Sequence, residues 1–285
     1  MADARQARLI AGLRARIAGL ERHSSPQTPF GSLSAPARTS PAARPAWTLG
    51  APEIDHCLAG GLNAAALHEV KGEGCTTAAA DWTAALGFAL RLTLRRLDAL
   101  APRSGGSPPQ ILWCWPSMLG RELGCPYGPG LASLGLAPSS HLFVETQRAC
   151  EALWAMEEGL RSESLALVIG VLPGVALTPA RRLSLAAAGA STPCLIITDP
   201  LEPAAASTAT RWRVGARKSA THAFEAGAPG ARRYAVSLER CREGARTRKA
   251  SPLLLEWSDE THRFRVASRV AHRAHAPRRA GLGAG

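Results

Sequence analysis

Between residues 47 and 203, five short apolar runs alternate with longer stretches of helical periodicity, and this limits the fold more than any other feature of the chain. The runs cover residues 66–70, 111–115, 141–145, 165–172 and 194–198; the helical stretches cover 76–100, 149–161 and 179–188. Strands buried on both faces read as continuous apolar runs, and parallel strands need a long crossover between them. The pattern therefore predicts an α/β fold with a mostly parallel sheet flanked by helices. A chain of 285 residues is long enough to bury one large core and carry appendages.

Past residue 203 the texture changes. "TRWRV", "RRYAVSLERC", "PLLLEWS" and "HRFRVA" alternate apolar and polar positions over short spans, joined by "EAGAPGA" and "REGARTRKAS". Alternation of this kind is the mark of half-exposed antiparallel strands and predicts a C-terminal antiparallel β extension over 204–270. The last residues, 271–285, read as a disordered tail. At the other end Leu9, Ile10, Leu13, Ile17 and Leu20 recur at helical spacing opposite a set of arginines, which predicts an amphipathic basic helix over 4–22. Residues 23–46 are rich in Pro, Ser and Ala and read as a flexible linker between that helix and a core spanning 47–203.

Charge is unevenly spread. Of the net +12, residues 211–285 hold 17 Lys+Arg against 6 Asp+Glu, while residues 1–210 hold 17 against 16. A positive field concentrated in the last quarter favours anionic partners, nucleic acid among them, or an acidic protein surface. Seven scattered cysteines without a C-x-x-C pair fit reduced thiols better than a disulfide framework. No apolar run is long enough to cross a bilayer and no secretory leader is evident, so a cytoplasmic protein without membrane contact is expected.

The stretch "HEVKGEGCTTAAA" places glycines and threonines between the first strand and the first long helix, where a phosphate-binding loop would lie. Such a loop curls backbone amides round phosphates, with a lysine on the β and γ phosphates and a hydroxyl on Mg²⁺. Here Gly72 and Gly74 stand only two apart, Cys75 takes the lysine position, and Thr76 and Thr77 follow. Gly72, Gly74, Thr76 and Thr77 are the candidate nucleotide-binding residues of a degenerate loop, and a plain strand-to-helix turn is the simpler reading.

The surrounding sequence resembles the RecA core, from "LGAPEIDHCLAGGLNAAALHEV" into the loop and helix and again through "YGPGLASLGLAPSSHLFVETQRACEALWAMEEGLRSESLALVIG". Within that relationship the chain is similar to the ImuA family. The resemblance rests on Gly60-Gly61-Leu62 to Leu67-His68-Glu69-Val70, on "LTPARRLSLAA" from Leu177, on "ATRWRV" from Ala209, on residues 238–242 and on Leu255-Glu256-Trp257. It implies a RecA-like sheet and an accessory role in DNA-damage-induced (SOS) mutagenesis, supporting error-prone translesion synthesis. The implied partner is the Y-family polymerase-like protein ImuB, with RecA, a second copy and DNA as further candidates. At the positions where RecA-like ATPases hold Mg²⁺ and polarise water, this chain has Gly170 and Pro116-Ser117. We therefore expect no ATP hydrolysis, no catalytic residue and no cofactor. A divergent DNA-dependent ATPase and a SulA-like cell-division inhibitor are the alternatives; the second explains the long basic C-terminal part poorly.

Other chemistry is thinly supported. His56, His68 and His141 are dispersed and no spacing suggests a metal site. Ser117 and Ser184 lack a nucleophile elbow, and Asp199 reads as a turn or cap before Pro200. The tethered helix offers Leu9, Leu13 and Ile17 as an apolar stripe for a partner or a second copy. For phosphate contact the candidates are Arg232, Arg233, Arg246, Arg248 and Lys249, because alternation along a strand turns the neighbouring aromatics toward the core.

Overall fold

The computed structural model describes residues 47–74, 78–100, 108–222, 224–225, 227–244 and 252–267. The helix expected over 4–22, the linker 23–46 and the tail 271–285 lie outside the described residues. Nine strands form one sheet: β1 (Leu67–Gly72), β2 (Gln110–Pro116), β3 (His141–Thr146), β4 (Leu165–Leu172), β5 (Cys194–Thr198), β6 (Thr210–Arg217), β7 (Arg233–Cys241), β8 (Leu253–Ser258) and β9 (Arg263–Val266). Their order is β3-β2-β4-β5-β1-β6-β7-β8-β9. The helices are α1 (Pro52–Cys57), α2 (Ala78–Leu100), α3 (Ser117–Leu123), α4 (Gly128–Ser133), α5 (Ala149–Arg161) and α6 (Leu177–Ala190).

The α/β reading stands, with a mostly parallel sheet, flanking helices and antiparallel strands at the C-terminal end. One pairing differs from expectation. β6 alternates in burial as an antiparallel strand would, yet it runs parallel to β1, with Val70 opposite Trp212, and turns antiparallel only toward β7. Alternation reports that one face of a strand is covered, not the direction of its neighbour. The sheet thus continues unbroken across the division placed at residue 204.

Two apolar layers hold the helices on. On one face α2 presents Trp82, Ala85, Phe88, Ala89 and Leu92, a buried stripe at helical spacing, to Val70, Trp113, Ile169, Ile197 and Trp212. The aromatic part of this layer reaches the extension: the Phe88 ring lies 5.8 Å from Trp212, 6.1 Å from Tyr234 and 5.2 Å from Phe264. On the other face Ala152, Met156 and Leu160 of α5 join Ala180, Leu183 and Ala187 of α6 over Leu112, Cys114, Val168 and Ile196. Trp47 closes the start of the fold, bridging to Leu62 and donating its indole N–H to the Leu92 carbonyl at 2.8 Å.

Candidate functional site at the carboxyl edge of the sheet

Parallel α/β sheets place ligands beyond the carboxyl ends of their strands, and the loop after β1 leaves the sheet there. Gly72 is required by close packing: a Cβ would come within 2.5 Å of Asp81 Cβ on α2. Gly74 has φ +75°, the left-handed region where glycine carries no steric cost. Cys75, Thr76 and Thr77 lie outside the described residues. Cations near the loop are turned to protein groups. Arg217 forks onto Glu73 at 2.6 and 2.8 Å, and Gly215 leaves the room, since a Cβ there would sit 2.0 Å from Glu73 Oε2. That hydrogen bond from Arg217 holds the Glu73 carboxyl below its ordinary range. Arg213 donates to the Gly72 and Pro200 carbonyls at 3.3 and 3.2 Å and to Glu239 at 2.9 Å. Lys71 points to the face away from α2, its ammonium bonded to the Glu202 carbonyl, and burial lowers its pKa.

Beside this loop a cleft of about 140 Å³ opens between the ends of β2, β4 and β5, the first turns of α2, and the segment from α3 to Pro126. Its floor is Trp113, Trp115, Val171 and Ile197, and its α2 wall includes Ala79, Trp82 and Thr83. Gly170, the position where the sequence comparison seeks a metal-binding carboxylate, faces α5 instead; a Cβ there would meet Met156 Sδ at 2.5 Å. The residue that β4 turns into the cleft is Val171. β2 ends at Pro116, and Ser117 opens α3 with its side chain buried. Sequence reading missed this cleft, although two tryptophans in alternate positions of one strand, Trp113 and Trp115, were a signal that one face there is deeply apolar.

Under β1 a polar network fixes the sheet edge. Glu69 is fully buried and accepts from Thr198 Oγ1 at 2.8 Å, the Ala205 amide at 3.0 Å and Arg211 Nε at 2.8 Å. His68, on the opposite face, has Nε2 2.8 Å from the Asn63 carbonyl and Nδ1 2.8 Å from Thr210 Oγ1. The carbonyl can only accept, so Nε2 carries the proton, and Thr210, which accepts from the Trp212 indole at 2.9 Å, donates to Nδ1. Complete burial lowers the His68 pKa to about 4.

The phosphate candidates divide. Arg233 is bonded to Glu256 at 2.8 Å, and Arg265 binds the other oxygen of the same carboxylate at 2.9 Å. Burial pushes the Glu256 pKa up, but Arg265 and Arg233 outweigh it and hold the group below its ordinary value. Arg233 is thus committed within the sheet, a pairing made by β-register that composition could not reveal. Arg232 stays exposed, 3.8 Å from Asp259. Arg246, Arg248 and Lys249 lie outside the described residues, as do Leu9, Leu13 and Ile17. The structure also brings Arg211, Arg240 and Arg242 together: a register shift in the β6–β7 pairing sets Arg240 opposite Arg211. Burial first, then the charges of Arg242 and Arg211, lower the Arg240 pKa. Trp212 and Phe264 are buried, 1% exposed each, so neither ring is placed for stacking on bases.

Asp199 accepts from the Leu201 amide at 2.8 Å and serves as a turn. Among the described residues no three His, Cys, Asp or Glu side chains come together to hold a metal ion, and no helix is long and apolar enough to cross a membrane. Cys114 and Cys194 are buried free thiols; burial raises both pKa values, that of Cys114 to about 12.

No protein-family model matches the chain. Two proteins named ImuA, from Caulobacter vibrioides strains NA1000 / CB15N and ATCC 19089 / CIP 103742 / CB 15, are each 28% identical to it over 250 residues. The similarity covers 83% of this chain and 95% of each relative.

Proposed function

We propose that the chain, which is similar to ImuA proteins over 83% of its length, is a member of that family and a non-catalytic accessory protein of DNA-damage-induced mutagenesis. It acts in the cytoplasm and supports error-prone translesion synthesis by binding the polymerase-like protein ImuB. The observation that carries the non-catalytic part is the cleft beside the β1 loop. Where a RecA-like ATPase needs a carboxylate for Mg²⁺, β4 presents Val171 and β2 ends in Trp115-Pro116. An apolar floor cannot hold a divalent cation, which takes oxygen ligands.

The adaptor role is tested by pull-down of ImuB with the full chain. Intact protein should retain it, and failure to do so would sink the reading. Loss of capture after Leu13→Asp would assign the stripe of Leu9, Leu13 and Ile17 to the contact. Nucleotide binding, which hydrolysis requires, is tested separately, by adding millimolar ATP with Mg²⁺ and following thermal unfolding. A ligand at about 100 times its Kd stabilises by about 2.7 kcal/mol, a shift of several degrees in a domain of this size. We expect no shift, and a clear one would restore the ATPase alternative.

Contact with nucleic acid, as part of this role, is assigned to the basic edge of the extension. Arg240 and Arg242 join Arg246, Arg248 and Lys249 as the candidates, ahead of the neutralised Arg233. Charge reversal at Arg240 and Arg242 should weaken single-strand binding in a mobility-shift titration and flatten its salt dependence by about 0.7 log unit per lost contact. Binding unchanged by both reversals would remove this edge from consideration.

A further inference from the structure

The described cysteines occupy three settings. Cys114 and Cys194 are fully buried on β2 and β5, with β4 between them. Two strand spacings, about 9.5 Å, exceed the reach of a disulfide. Cys125 and Cys150 are exposed, one on the loop after α3 and one on α5. Cys57 and Cys241 are half-buried and meet: Cys57 is the last residue of α1 and Cys241 the last of β7. The Cys241 thiol points at the Cys57 carbonyl, with Sγ 3.9 Å from that oxygen.

The turn after β7 is seated on the end of α1. Gly244 donates its N–H to Cys241 Sγ at 3.2 Å, and a Cβ on Gly244 would stand 1.9 Å from the Cys57 carbonyl oxygen. The Arg242 amide donates to the Ala209 carbonyl at 2.8 Å, and Asn63 Nδ2 donates to Glu243 at 2.6 Å, so the turn is tied down on both sides of Cys241. A carbonyl oxygen lies about 2.4 Å from its own Cα, which places the Cys241 sulfur within about 6.3 Å of the Cys57 Cα. The Cys57 thiol now donates to the Glu53 carbonyl at 3.2 Å. Rotation about its Cα–Cβ bond releases that contact at the cost of one rotamer change.

We propose that Cys57 and Cys241 are a modification site, a thiol pair that a hydroperoxide converts reversibly to a disulfide. Cys241 lines a shallow crevice with Leu58, Asn63 and Glu243, open to a small oxidant. With hydrogen peroxide, its thiolate sulfur attacks one oxygen, the O–O bond breaks, water leaves and Cys241 becomes a sulfenic acid. The Cys57 thiolate then attacks that sulfur; the S–S bond forms, the S–O bond breaks and a second water leaves. Two thiols are oxidised and one peroxide is reduced, with both thiol protons carried off in the two waters. The bridge joins the first helix to the end of β7 and fixes the base of the turn that carries Arg242. It stands apart from the adaptor role, so either assignment can fail without the other.

The test exposes the full chain, reduced with dithiothreitol and then freed of it, to hydrogen peroxide. Remaining thiols are capped with iodoacetamide, and the chain is digested without reductant for mass spectrometry. The expected product is a peptide pair joining Cys57 to Cys241, lost on renewed treatment with dithiothreitol. A bridge closing so long a loop constrains the unfolded chain, so the oxidised protein should melt several degrees above the reduced one. Cys57→Ser and Cys241→Ser should each abolish the link and melt at the same temperature before and after peroxide. Exposed Cys125 and Cys150 report the dose within the same sample. Oxidation of these two while Cys57 and Cys241 are recovered as separate capped thiols overturns the proposal. So does Cys241 advancing unpaired to a sulfinic acid, or either residue of the pair bridging to another cysteine instead.

Discussion

The parallel strands β2, β4, β5 and β1 are covered on both faces, by α2 on one side and α5 with α6 on the other, and carry almost no exposed side chain. The strands from β6 to β9 are covered by aromatic packing on the α2 side, while their opposite face carries Arg213, Arg233, Glu256 and Arg265 in cross-strand pairs and Arg217 paired to Glu73 of the loop after β1. The two regions share one sheet but divide the work differently. In the first, burial fixes the strands and any side-chain error is expensive. In the second, one face holds the fold and the other is free to carry charge, so its arginines can vary at small cost to stability.

The largest test of this difference is Phe88→Ala, which removes the ring that links α2 to Trp212, Tyr234 and Phe264. It should cost about 3–5 kcal/mol, read from urea unfolding as a lower midpoint. A loss below about 1 kcal/mol would mean the extension does not depend on α2. Next comes acid. The folded-state pKa of His68 is depressed to about 4 from 6.5, so the unfolded chain binds the extra proton between those values. Its contribution is full above pH 6.5 and is lost as pH falls toward 4, about 3 kcal/mol in all by linkage. A His68→Gln variant should show a flatter stability profile over that window, and an unchanged slope would assign the acid sensitivity elsewhere.

Gly170→Ala is the third test, on the doubly covered side. Its Cβ would meet Met156 at 2.5 Å, and overpacking of this kind costs about 1–3 kcal/mol. A neutral result would show that the flexible end of Met156 repacks around the added methyl. The smallest effect is expected on the charged face. Arg265, with a side chain 72% exposed, still leaves Glu256 its bond to Arg233 when removed. Arg265→Ala should therefore change stability by no more than about 1 kcal/mol, less at high salt, and a larger loss would break the contrast between the two regions.

How much of this was legible varied with the cause of each feature. β4 and β5 match the expected residues 165–172 and 194–198 because continuous aliphatic runs leave strands no alternative. α5 likewise matches 149–161, carried by strong amphipathic spacing. The short helices α1, α3 and α4 went unseen. Helices of six or seven residues lie below the length at which local propensity sustains them, and tertiary contacts hold them in place. Among the candidate site residues, Gly72 ends β1 opposite Val214 instead of opening the loop, and the reason for a glycine there is the pressure of α2 at Asp81, a contact between separate elements. Val171 could not be chosen over Gly170 from sequence, since which of two adjacent residues faces a cleft depends on the side that α2 occupies.

The sequence by itself determined the α/β class, most of the strands of the parallel half and the concentration of positive charge in the last quarter, because apolar periodicity and composition are local properties of the chain. Only the tertiary structure decided that β6 pairs parallel to β1, that Arg233 and Arg265 share Glu256, and that Trp113, Trp115 and Val171 floor one cleft. Each of these depends on which distant elements meet across the sheet. Pairing direction, charge neutralisation and the shape of a cavity are set by that meeting, and no stretch of sequence contains both sides of it.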